Sequence, residues 1–171
     1  MAEETQENQD TEEVRVEVHF YSTPYLVLLR HKDIKGIILK AHINWLGQEL
    51  SHCAIRIVAG GIDRIAQSTW TQLKLYETSS IQYEPAIVID VTHMVDAVDV
   101  IGYITQEFQQ PKDETMVKVS TLLLLTRHRA HEVTQTTCTG FVAKCLGFKI
   151  DKQLLYPDNL CLFLQKWVSI E

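Results

Sequence analysis

From Val14 to Phe20 the chain alternates (VRVEVHF), with Val14, Val16, Val18 and Phe20 facing one way and Arg15, Glu17 and His19 the other. A period of two predicts a half-buried strand. The apolar run YLVLLR over 25–30 reads as a second strand. The spacing then changes: over 33–46, Ile34, Ile37, Ile38, Ala41 and Trp45 share one side of a helix, with Asp33 as its cap and Gly36 its weak point. HCAIRIVA and IDRIAQSTW flank Gly60 and Gly61 and predict a hairpin. KLYE and, after Pro85, AIVIDV over 86–91 predict further strands. Met94, Val95, Val98, Ile101, Ile104 and Phe108 make an amphipathic helix running from Thr92 and ending before Pro111. Residues 113–131, which include TLLLL, also read as helix. Cys138, Phe141, Val142, Cys145 and Leu146 fall on one helical face, and Gly147 stops that helix. A last helix occupies YPDNLCLFLQKW, starting at Pro157 or Asp158. These elements predict an α+β domain over residues 14–171, with helices packed on an antiparallel sheet.

Composition sharpens this in three places. With 171 residues and 46% hydrophobic content, the chain can bury one core. Residues 1–13 carry six acids, no Lys or Arg and no large apolar residue beyond Met1, which predicts a disordered acidic tail available to a protein partner. The remaining 16 acids balance 16 bases, so charge gives no reason to expect nucleic acid or an anionic membrane as partner. No apolar run approaches the ~18 residues of a membrane span, and no signal peptide is evident, so the sequence predicts a soluble protein made for the cytoplasm. Four cysteines without a CxxC pair predict reduced thiols rather than a disulfide framework.

The candidate chemistry lies in two phrases 86 residues apart, SHCAIRIV and TCTGFVAKCLG. Cys138 falls at a helix start, where unpaired N–H groups and the helix dipole favour a thiolate. His52 opens a strand ahead of the hairpin and is the candidate base. With the turn at Gly60 and Gly61, pairing brings the 67–69 region opposite His52, and Gln67 is the residue there able to orient an imidazole. Each has a plainer reading. Cysteines are among the most buried residues, and Gln67 also fits a solvent-facing strand position. Cys53, Cys145 and Cys161 read as core cysteines. His128 and His131, in the polar segment TRHRAHE, are rival bases; zinc held by them with Cys138 lacks a regular four-ligand spacing. No motif calls for a cofactor or a metal.

SHCAIRIV resembles the SHVGI-type strand, and TCTGFV the DCSGFV-type helix, of the NlpC-like cysteine peptidases of the papain superfamily. Histidine precedes cysteine here, the order of the circularly permuted branch shared with lecithin retinol acyltransferase-like enzymes. The approach LVLLRHKDIKGIILKAHINWLGQELSH and the YPDNL start of the last helix are similar to that branch too, so the resemblance covers roughly residues 24–165. Thr137 stands where the motif has Asp, and Gln67 where Glu or His is commoner. The resemblance implies a permuted papain-like fold with Cys138 as nucleophile, His52 as base and Gln67 as orienting residue.

Three functions fit this sequence. The first is a cysteine peptidase or amidase cleaving an amide or thioester through an acyl-enzyme on Cys138, its substrate a peptide such as a peptidoglycan stem peptide, an isopeptide or a lipid ester. The second is an inactive binding or assembly module of the same fold, in a bacteriophage or bacterial particle. The third is a thiol-dependent acyltransferase.

Overall fold

A computed structural model of the chain describes residues 14–22, 37, 40–41, 44, 48–68, 73–81, 83–109, 137–149 and 156–170. Five strands form one antiparallel sheet: β1 (Arg15–Tyr21), β2 (His52–Ala59), β3 (Ile62–Ser68), β4 (Leu73–Glu77) and β5 (Ile87–Asp90), in the order β4-β3-β2-β1-β5. Three helices are complete among the described residues: α1 (Ala97–Gln109), α2 (Cys138–Cys145) and α3 (Pro157–Val168). The protein is therefore α+β. Ile37, Lys40, Ala41 and Asn44, within the helix read over 33–46, are helical as well. The rest of that segment, the acidic tail, the strand read over 25–30 and the helix read over 113–131 lie outside the described residues.

The hairpin forms where the glycines place it. Gly60 and Gly61 have φ of 56° and 71°, which glycine adopts without steric penalty, and Ala59 pairs with Ile62 across this two-residue turn. Alternation then assigns faces. Val16, Val18, Phe20, Cys53, Ile55, Ala66 and Ile89 point into the main core, which is closed by Val100 and Ile104 of α1, Phe141 and Val142 of α2, and Leu160 and Leu164 of α3. The opposite face carries a small cluster of Tyr21, Ala54 and Ile65 beside the polar residues Glu17, His19 and Arg56.

One element differs from the sequence reading. The helix expected from Thr92 begins at Ala97, because the Thr92 N–H and hydroxyl both donate to Asp90 Oδ1, at 2.9 and 2.5 Å, and hold Thr92–Met94 in a 3-10 turn. Asp96 then caps the helix by accepting from the Val98 N–H at 2.8 Å. Within it Val100 and Ile104 pack inward, while Val98, Ile101 and Phe108 are exposed.

The two last helices meet at a ring cluster. Phe148, just past α2, stands edge-on to Phe163 and Trp167 of α3, with centroids 5.0 and 4.7 Å away. Among the described residues no helix is long and apolar enough to cross a membrane.

Candidate active site

The ladder between β2 and β3 ends at Ile55 and Ala66, although both strands run further, to His52 and Ser68. The regular pairing stops at that rung, and α2 packs chiefly against these two strands. By strand alternation the Cys53 N–H belongs to the β3 side; here it donates to the sulfur of Cys138 instead. The site is therefore built at the end of the β2–β3 ladder, where a helix start takes up a strand N–H.

Local chemistry fixes that helix start. Thr137 is the N-cap, its Oγ1 accepting from the Gly140 N–H at 3.0 Å, the task that Asp would perform equally well. Behind Cys138, residues Thr139 to Ala143 are buried, so α2 cannot rotate its first residue away from the sheet. The far end closes on Gly147 at φ 75°, where the Gly147 and Phe148 N–H groups bond the carbonyls of Lys144 and Ala143 at 2.9 and 2.8 Å.

His52 is fixed from several directions. It pairs with Tyr21 across β1, and their rings lie 6.1 Å apart. The Ser51 N–H and hydroxyl both reach the Tyr21 carbonyl, at 2.8 and 3.2 Å. Asp158, in the first turn of α3, accepts from the Glu49 and Leu50 N–H groups at 3.0 Å each. The buried Lys40 ammonium donates to the Glu49 carbonyl at 2.9 Å and to Ser22 Oγ at 3.2 Å. The segment leading into β2 thus has few unpaired backbone groups left to move.

Gln67 lies one residue past the last β2–β3 rung, on the face that carries His52, and its Oε1 accepts from His52 Nε2 at 2.6 Å. A carbonyl oxygen only accepts, so the proton sits on Nε2 and leaves Nδ1 as the basic nitrogen. His52 also hydrogen-bonds Cys138, and Nδ1 is the nitrogen that remains for it. The three residues singled out in the sequence therefore meet as one line, Gln67–His52–Cys138, with Cys138 and His52 both half-buried.

The electrostatics follow the contacts. A hydrogen bond from Cys53 is the largest influence holding the Cys138 thiol well below its ordinary range. Burial opposes it; attraction to His52, the hydrogen bond with His52 and the Cys53 N–H reinforce it. For His52, burial favours the neutral ring, but the charge of Cys138, the hydrogen bond with it and the bond to Gln67 together raise the imidazole above its usual value. Each shift favours a thiolate facing an imidazolium. Cys145 and Cys161 are pushed up by burial and stay thiols.

Cys53 is the participant that sequence reasoning assigned to the core alone. It is fully buried there, and its thiol also bonds Cys138. Asp158 was read only as a helix start. Its acidic side chain in a first turn gave no sign that it would reach residues 49 and 50, since that contact spans 108 residues or more. His128 and His131 lie outside the described residues, and with them the zinc arrangement considered above. Among the described residues no group of three or more His, Cys, Asp or Glu is placed to hold a metal ion. Comparison with family models, with curated proteins and with solved structures finds no match to this chain.

Proposed function

We propose that the protein is a cysteine hydrolase of the circularly permuted, NlpC-like type, cleaving an amide or activated ester through an acyl-enzyme on Cys138. The single observation that carries the reading is the Gln67–His52–Cys138 line, in which a lowered thiol, a raised imidazole and an orienting amide occupy consecutive positions. The histidine strand comes before the cysteine helix, in keeping with the permuted order.

The chemistry follows from the protonation states. The Cys138 thiolate attacks the substrate carbonyl carbon, and the charge that develops on oxygen lies beside the start of α2, where the Cys138 N–H is the nearest candidate donor. His52 then gives its Nδ1 proton to the leaving amine or alcohol, and the acyl group remains on sulfur. Water, deprotonated by the now neutral His52, releases the acid and restores the pair. Gln67 keeps the ring in one tautomer throughout. The substrate class is an acylated amine or alcohol, with peptide, isopeptide and peptidoglycan stem peptide bonds as the amides to test first.

An acyl-directed thiol probe such as an acyloxymethyl ketone tests the reading. The expected result is a single adduct on Cys138 that is lost in His52→Ala. Labelling spread over Cys53, Cys145 and Cys161, or an adduct unaffected by His52→Ala, would overturn it.

A further inference from the structure

We propose that Cys53 and Cys138 together form a dithiol that hydroperoxides convert into an intramolecular disulfide, giving this site a reversible oxidised state. The proposal rests on the same nucleophilic Cys138 as the hydrolase reading, but requires neither an acyl substrate nor Gln67. Its basis is the packing. Cys138, at the start of α2, is half-buried as a residue, whereas Cys53 is fully buried, and the Cys53 thiol bonds Cys138 beyond the last rung of the β2–β3 ladder. Cys138 is thus the more accessible of the two residues, and Cys53 lies in the core beside it. Cys161 and Cys145, also buried, are bonded to no thiol in this way.

The step balances with a hydroperoxide as the oxidant. The Cys138 thiolate attacks the terminal peroxide oxygen; the O–O bond breaks, the departing oxide takes a proton to leave as water or an alcohol, and Cys138 becomes a sulfenic acid. Cys53 then loses its proton and attacks the Cys138 sulfur. An S–S bond forms, the S–O bond breaks, and hydroxide takes up the proton that Cys53 gave, leaving as water. Two thiols have lost two electrons and two protons, and one hydroperoxide has been reduced. Burial and the neighbouring thiolate keep Cys53 protonated while the site is reduced. Oxidation of Cys138 removes that thiolate charge, and proximity favours the second step over attack by a further peroxide. Two sulfurs held by a rigid helix and a central strand give up the hydrolase nucleophile for as long as the bond lasts.

Purified full-length protein treated with equimolar hydrogen peroxide at neutral pH, digested without reduction and mapped by mass spectrometry, tests this. The expected product is a peptide pair joined through Cys53 and Cys138, two hydrogens lighter than the reduced pair, with Cys138 alkylation lost and then regained on adding dithiothreitol. In Cys53→Ala the same treatment should leave sulfenic acid on Cys138 with no cross-link, and excess peroxide should carry it on to sulfinic and sulfonic acid that dithiothreitol does not recover. Circular dichroism checks that this variant folds; if it does not, the wild-type cross-link map decides alone. Over-oxidation of wild-type Cys138 without the cross-link, or a cross-link to Cys145 or Cys161, overturns the proposal. Reduced protein that still takes the acyl probe on Cys138 leaves the hydrolase reading standing in that event. A cross-link in protein that never takes the probe would support the dithiol and sink the hydrolase reading.

Discussion

At the scale of single residues, the line from Gln67 to Cys138 assigns a distinct task to each member, and each can be separated by substitution. Gln67→Ala should leave folding intact and lower kcat roughly 10- to 100-fold, the order expected when a functional imidazole loses its orienting partner. Steady-state kinetics beside a thermal melt would check this, and loss of stability in step with activity would count against an orienting role. Gln67→Glu keeps an acceptor and adds a negative charge, so His52 should hold its proton to still higher pH. The sign of the pH dependence is fixed by the two shifts. The raised His52 contributes stability below its unfolded value of ~6.5 and loses it as pH rises through its folded value; the lowered Cys138 contributes above ~8.5 and loses it as pH falls through its folded value. Their mutual attraction is greatest between the two folded values. Turnover should therefore be bell-shaped, its upper limb set by His52, and Gln67→Glu should move that limb to higher pH. These residues were legible because a two-residue glycine turn fixes register, and register places Gln67 on the face that carries His52. Cys53 was not, because alternation reports only which face a side chain takes and is silent on what packs against the strand's end.

At the scale of elements, position comes from contacts remote in sequence. Asp158 ties the first turn of α3 to the segment before β2 through two charge-assisted bonds to N–H groups. Asp158→Ala should cost about 2 kcal/mol and should raise the mobility of His52, while Asp158→Asn, which keeps one acceptor, should recover part of both. Urea denaturation together with histidine line widths in NMR would measure the two effects; a stability loss without any change at His52 would show that the tie serves α3 alone. Most strands and helices were legible from period and punctuation: the Gly60–Gly61 turn, the Gly147 stop and Pro157 at the start of α3 all stand where the sequence puts them. The start of α1 was not. Met94 and Val95 are in helical spacing with Val98 and Ile101, but the Asp90 side chain captures Thr92 first, and a side-chain competitor of that kind leaves no mark on a hydrophobic pattern.

At the scale of the whole molecule, the sheet has two unlike faces, one packed on helices and one carrying a polar chain that keeps β1 and β2 in register. Arg56 Nη1 bonds the buried Glu17 at 2.9 Å, its other nitrogens grip Asp63 at 2.8 Å, and His19 adds a bond to Glu17 at 2.9 Å. The Arg56 bonds hold Asp63 down at about 2, so its share of stability is present above ~3.9 and fades only as pH falls through that lower value. Arg56→Ala leaves the Glu17 carboxylate buried with only His19 and a longer contact to Arg15 and should cost about 3 kcal/mol, whereas replacing Glu17 and Arg56 together with apolar residues should cost less; a double-mutant cycle in urea would measure this. Neither face announces a function by itself; the chemistry lies at the end of the β2–β3 ladder, where His52 and Cys53 meet Cys138 and favour its thiolate, a claim open to direct test. Iodoacetamide alkylation followed by peptide mapping over a range of pH tests that claim most directly. Cys138 should react fastest of the four thiols and keep reacting below pH ~7, where an ordinary thiol of pKa ~8.5 is almost wholly protonated. In His52→Ala that low-pH reactivity should fall. A Cys138 that titrates like a cysteine in an unfolded chain, with or without His52, would contradict the account.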